Sequence, residues 1–121
     1  MIGNDQQTKH RLLICTKCQG HEVAARFREA LQPKLPKSFS IRAVECLAGC
    51  DFPTAIGYQA EGKASYLFGG IDSDEIIDAI VEFAHQYEES DNGWTSSAER
   101  PLALYDKTLA RLPTFNAEVK R

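Results

Sequence analysis

The sequence predicts one α/β (α+β) domain, with a four-stranded mixed sheet, two long helices and a C-terminal helical extension. Three observations lead there. Four short β-type runs alternate with two amphipathic stretches in the order strand, helix, strand, strand, strand, helix. Only Glu61-Gly62 separates the third and fourth strands, which makes them an antiparallel hairpin. The 121 residues, 43% of them hydrophobic, are enough for a single core.

After a polar, flexible start over residues 1–9, the first strand runs from His10 to Cys15. Thr16-Lys17-Cys18-Gln19-Gly20 follows as a loop. From His21 to Gln32, Val23, Ala24, Phe27, Ala30 and Leu31 recur at helical intervals opposite Glu22, Arg26 and Glu29, giving an amphipathic helix. Pro33 and Pro36 stop it, because proline lacks the N–H donor and restricts the residue before it. A second strand passes through Phe39, Ile41, Ala43 and Glu45 and ends at Cys46. The segment from Cys46 to Pro53 is a loop, and strands Thr54 to Ala60 and Lys63 to Phe68 follow. Asp72 and Glu75 have capping-box spacing at the head of a helix whose apolar set is Ile76, Ile77, Ile80, Val81, Ala84 and Tyr87. Ser90-Asp-Asn-Gly93 ends this helix. A loop through Trp94 then leads to a helix signal from Pro101 to Arg111, carried by Leu102, Tyr105 and Leu109. Residues 10–90 thus form the domain proper, and residues 91–121 an extension packed on it.

Two strands bridged by a helix run parallel with a right-handed crossover, whereas a two-residue connection forces antiparallel pairing. The resulting order is the minimal thioredoxin-like arrangement, βαβββα. Parallel strands end at one edge of the sheet, so Cys15 and Cys18, after the first strand, can converge with Cys46 and Cys50, after the second, although 27 residues separate the inner two.

Composition removes several functional classes. Fourteen Lys plus Arg against 17 Asp plus Glu leave a formal net charge of −3, which lacks the basic footprint of a nucleic-acid binder. No apolar run approaches the roughly 20 residues of a membrane-spanning helix. Leu12-Leu13-Ile14 is too short for a secretory signal, so a cytoplasmic location is expected, where thiols stay reduced and serve metal or redox chemistry. No Ser-His-Asp set, phosphate loop or paired carboxylates stands at a motif spacing, so a hydrolase or kinase has no sequence support, and the carrier reading reached below is not that of an enzyme by itself.

The cysteines form two short pairs, Cys15-x2-Cys18 and Cys46-x3-Cys50, with none left over. Each spacing lets two sulfurs reach one metal atom from a single turn, and two such turns complete a four-thiolate shell. Gly20 and Gly49 allow backbone N–H groups close to sulfur. A binuclear cluster on four thiolates carries a formal charge of about −2 oxidised and about −3 reduced. The amides, and the positive end of the helix after Gly20, favour the added electron.

Ala43-Val-Glu-Cys46-Leu-Ala-Gly-Cys50-Asp-Phe-Pro53 resembles the second cluster loop of thioredoxin-like 2Fe-2S ferredoxins, including the ferredoxin-like subunit of respiratory NADH dehydrogenase. Tyr66-Leu-Phe-Gly69 leading into Ile71-Asp-Ser-Asp-Glu75 is similar to the same group. More closely, Leu13-Ile-Cys15-Thr-Lys-Cys18-Gln-Gly20, the second loop and Glu99-Arg100-Pro101 resemble a bacterial family of uncharacterised small proteins predicted to bind metal, over most of residues 11 to 113. The resemblance implies a thioredoxin-like fold and a cluster or metal on Cys15, Cys18, Cys46 and Cys50. Here two residues separate the first pair, where the better-known ferredoxins have at least four, and a loop that tight also suits a mononuclear tetrahedral site. The expected function is a one-electron carrier holding a 2Fe-2S cluster, working with a redox partner protein, either a reductase or an acceptor enzyme. The resemblance also allows a homodimer, since related ferredoxins pair.

Two other readings stay open. Structural zinc in an interaction module satisfies four thiolates equally well, although small zinc folds lack a core of this size. A dithiol oxidoreductase would use Cys15-Thr-Lys-Cys18 and leave Cys46 and Cys50 idle. His10, His21 and His85 read as surface or helix-cap residues, because four thiolates already fill the shell. Lys17 is a solvated loop residue or a tuning charge. Eight acidic residues and no Lys or Arg between Asp72 and Asp91 read as a solvated helix face that would also suit a basic partner.

Overall fold

His10–Cys15 forms β1 in a computed structural model that describes residues 9–16, 20–45, 54–71, 74–95, 100–104 and 106–114, with the backbone alone at 74 and 75. The remaining elements are α1 (His21–Leu31), β2 (Phe39–Val44), β3 (Ile56–Ala60), β4 (Ser65–Phe68), α2 (Asp74–Glu89), a 3-10 turn at Leu102–Leu104, and β5 (Thr108–Leu112). The sheet order is β2-β1-β3-β4-β5. β1 and β2 are parallel, and every other neighbouring pair is antiparallel. The first four strands and two helices are the expected thioredoxin-like arrangement. The expected N-terminal segment lies largely outside the described residues, as does Asp72.

Alternation along the strands sends Leu12, Ile14, Phe39, Ile41, Ile56, Tyr58, Tyr66 and Phe68 to one face, where they join Ala24, Leu31, Ile76, Ile77, Ile80 and Tyr87 from the two helices in one core. Phe83, which falls outside the apolar stripe read from sequence, is completely buried. Its ring centroid lies 4.8 Å from Tyr58, 5.0 Å from Tyr66 and 5.1 Å from Phe68, each edge-on. Such pairs add about 0.5 to 1.5 kcal/mol apiece beyond area burial, so this ring is the main rivet between α2 and the sheet. The tyrosine hydroxyls have acceptors: Tyr58 donates to the Ile80 carbonyl at 2.7 Å, and Tyr87 to the Ala64 carbonyl.

The C-terminal extension differs from expectation. Among its described residues only Leu102–Leu104 is helical, as a single 3-10 turn, and Thr108–Leu112 is a fifth strand. The spacing of Leu102, Tyr105 and Leu109 reads as one face of a helix, yet Leu102 is 87% exposed and Leu109 37%, Leu104 is the buried residue of the turn, and Tyr105 lies outside the described residues. The outer edge of β4 decides the matter, because its N–H and C=O groups would otherwise face solvent unpaired. β5 supplies their partners, pairing Ser65 with Leu112, Tyr66 with Arg111 and Leu67 with Ala110.

His10 also departs from the surface role expected of it. It is 7% exposed, stacks on Phe39 with centroids 5.0 Å apart, and accepts a hydrogen bond at 2.8 Å from Lys63 Nζ. The same ammonium donates to the Tyr87 and Glu88 carbonyls at 2.7 and 3.0 Å, closing the C-terminal end of α2 where the helix dipole favours a cation. Burial first, and the Lys63 charge second, hold the His10 imidazole below its ordinary value of 6.5.

Two predictions follow from this packing. As pH falls below about 6.5 the unfolded chain takes up a proton that folded His10 refuses, so stability present above that pH is lost beneath it. Urea midpoints should therefore drop between about pH 7.5 and 5.5, and His10→Phe should flatten the drop. Gly93, at φ +82°, would bring a Cβ to 2.6 Å from the Ala64 amide nitrogen, whereas Gly62, at φ +77°, has open space around it. Gly93→Ala should cost about 2 to 4 kcal/mol and Gly62→Ala about 1 kcal/mol in the same assay, and equal costs would deny the close approach.

Candidate metal centre

β1 ends at Cys15 and β2 at Val44, and the parallel register sets these two residues side by side. Thr16 closes the junction. Its N–H and its hydroxyl both donate to the Val44 carbonyl, at 2.9 and 3.1 Å. On the other flank the Cys15 N–H donates to the Ala55 carbonyl at 3.1 Å, which ties the site to the residue just before β3. Three strand ends therefore hold Cys15 at one edge of the sheet. Its side chain is 1% exposed, and its Sγ lies 3.8 Å from the carbonyl oxygen of Glu45, the residue that precedes Cys46 in the chain.

Cys18, Cys46 and Cys50 lie outside the described residues, as do Lys17 and Gly49. The described flanks are Thr16 and Gly20 around Cys18, and Glu45 and Thr54 around the second pair. All four belong to the strand ends and loop margins of this one edge. Thr54 is held there by the Ile71 N–H, which donates to its carbonyl at 3.1 Å. Its Oγ1 is buried and has no hydrogen-bond partner among the described residues. A buried hydroxyl without an acceptor is costly by about 1 to 3 kcal/mol, and a sulfur ligand would relieve it. The donor set and this hydroxyl fit a thiolate-held group. Among the described residues, which contain one of the four cysteines, no cluster of three or more His, Cys, Asp or Glu stands close enough to hold a metal.

α1 begins directly behind this edge. Gly20 precedes it at φ +91°, a conformation that glycine adopts without strain, and supplies no side-chain cap. The positive end of the helix is thus left for the segment in front of it. A cavity of about 260 Å³ opens between α1 and the β1–β2 edge, lined by Ile14, Thr16, His21, Ala24, Arg28 and Ile41 among others.

Of the histidines, His10 stands at the opposite end of β1, roughly 17 Å from Cys15 at strand rise, and cannot share a metal with it. His21 and His85 are exposed. The acidic face of α2 shows Asp78, Glu82 and Glu89 to solvent, with Lys34 bridging Asp78 at 3.4 Å in an exposed pair of small energetic weight. Thr16 and Thr54 carry no motif signal, because a threonine beside a loop is too common to be read from sequence. No helix among the described residues is long and apolar enough to cross a membrane.

No curated protein and no solved structure matches the chain. A family model described as "Protein of unknown function (DUF1636)" matches residues 7–114, a span that takes in every described element and all four cysteines. The chain belongs to the DUF1636 family.

Proposed function

We propose that this protein is a one-electron carrier that holds a 2Fe-2S cluster through Cys15, Cys18, Cys46 and Cys50. The observation that carries the reading is the parallel register of Cys15 with Val44, together with the 3.8 Å approach of Cys15 Sγ to the carbonyl just before Cys46. When bound, such a cluster takes up and returns one electron without making or breaking a covalent bond to a substrate. The protein's part is rigidity and polarity. Hydrogen bonds from Thr16, and from the Cys15 amide to the neighbouring strand end, hold the ligand still, so little reorganisation accompanies a change of charge. The deep burial of Cys15 keeps water from the sulfur, while the Thr54 hydroxyl and the positive end of α1 favour negative charge at this edge. The electron would come from or go to a cytoplasmic redox partner, and a homodimer would be compatible with the role.

Anaerobically purified protein should be coloured, bleach with dithionite, and contain about two irons and two sulfides per chain. Serine in place of any one of the four cysteines should lower the iron and sulfide content. A colourless protein with one zinc per chain would replace the carrier by a zinc-stabilised interaction module, and loss of cluster only from Cys46 and Cys50 variants would break the four-ligand assignment.

Thr54→Val keeps the shape and removes the hydroxyl, so its midpoint potential should fall by tens of millivolts with the iron content unchanged. Redox titration of both proteins decides this, and an unmoved potential would detach Thr54 from the centre.

A further inference from the structure

Away from the cysteine edge, Tyr66 of β4 is flanked by two guanidinium groups. The Arg100 Cζ stands 5.6 Å from the ring centroid and the Arg111 Cζ 6.0 Å. Both donate to one acceptor, the Thr95 carbonyl oxygen, which lies 3.4 Å from Arg100 Nη2 and 3.4 Å from Arg111 Nη1. Arg100 Nη1 also donates to Thr108 Oγ1 at 3.0 Å, while its Nε is buried without a hydrogen-bond partner among the described residues. Arg111 lies over the ring of Trp94 at 3.7 Å.

Two like charges are thus drawn onto one carbonyl in a protein whose net charge is negative. Among the described residues no carboxylate stands within ion-pair distance of either, the one ion pair being Lys34 with Asp78. The faces of Tyr66 and Trp94 supply partial negative charge only. Among the described residues this geometry lacks a full countercharge. A single carboxylate is satisfied by one bidentate guanidinium, whereas two separate forks suit a tetrahedral dianion that offers acceptors in several directions. Arg111 is exposed and has one of its five N–H donors engaged in the hydrogen bond to Thr95, so the open approach is from its side.

We propose that Arg100, Arg111 and Trp94 form a binding site for a phosphate dianion, either free or as the head of a small phosphomonoester. The site is independent of the cysteine centre and stands whether or not that centre holds iron.

Trp94 is the only tryptophan of the chain and is 47% exposed, so its fluorescence reports directly on Arg111. The full chain would be titrated with inorganic phosphate, with phenyl phosphate and with benzoate, at constant ionic strength set by chloride. Saturable changes are expected with both phosphates and not with benzoate. Tighter binding of phenyl phosphate identifies a monoester as the source, and equal binding identifies the group alone. Calorimetry, which needs no tryptophan signal, should show about tenfold weaker phosphate binding in Arg111→Gln and a smaller loss in Arg111→Lys, with circular dichroism confirming that both variants fold. Chloride and phosphate behaving alike, or an Arg111→Gln variant that binds as well as the parent, would overturn the proposal. So would phosphate binding that appears only in Glu99→Gln, since the chain would then supply its own anion.

Discussion

The parallel ladder between β1 and β2 is the constraint on which the rest of the molecule depends. A parallel pair needs a crossover, and α1 provides it, so the chain must return to the start of β1 before β2 begins. Both strands then finish at the same edge. An antiparallel β2 would have delivered Val44 and Glu45 to the far end of β1, near His10, a strand length of roughly 17 to 20 Å away. The same crossover brings the head of α1 to the edge where β1 ends at Cys15.

The opposite edge is built for stability. There the Lys63 ammonium gathers His10 and the last carbonyls of α2, and Gly93 packs its backbone against Ala64. The start of β1, the β3–β4 turn, the end of α2 and the start of the C-terminal extension are joined by a few polar contacts over a floor of aromatic rings. That division places the His10–Lys63 packing at one end of β1 and the buried Cys15 at the other.

The sheet is one-sided in its covering. Phe83 and the tyrosines seal one face under α2, while Arg11, Arg42 and Gln59 stand exposed on the other with Leu13 and Leu67 half-buried between them. β5 extends this surface and blunts the β4 edge, and its Arg111 reaches back to the packed side over Tyr66 and Trp94. One strand thus closes a hydrogen-bonding edge and brings a second guanidinium beside Arg100.

The sequence by itself determined the order of the first six elements, their ends to within two or three residues, and the parallel course that sets Cys15 beside Val44 at one edge. These are local properties: alternation, helical spacing, proline stops and a two-residue turn are written in neighbouring residues and need no distant partner. The tertiary structure alone decided the rest. Thr108–Leu112 became a strand because β4 had an edge to satisfy, against a helical pattern with nothing to pack on. His10 went inside because Phe39 and Lys63, far along the chain, gave it a ring to stack on and a donor to accept from. Phe83 became central because three aromatic side chains from β3 and β4 converge beneath it. Thr16, Thr54, Arg100 and Arg111 gained their surroundings in the same way, since a threonine or an arginine acquires chemical meaning only from the groups that folding places around it.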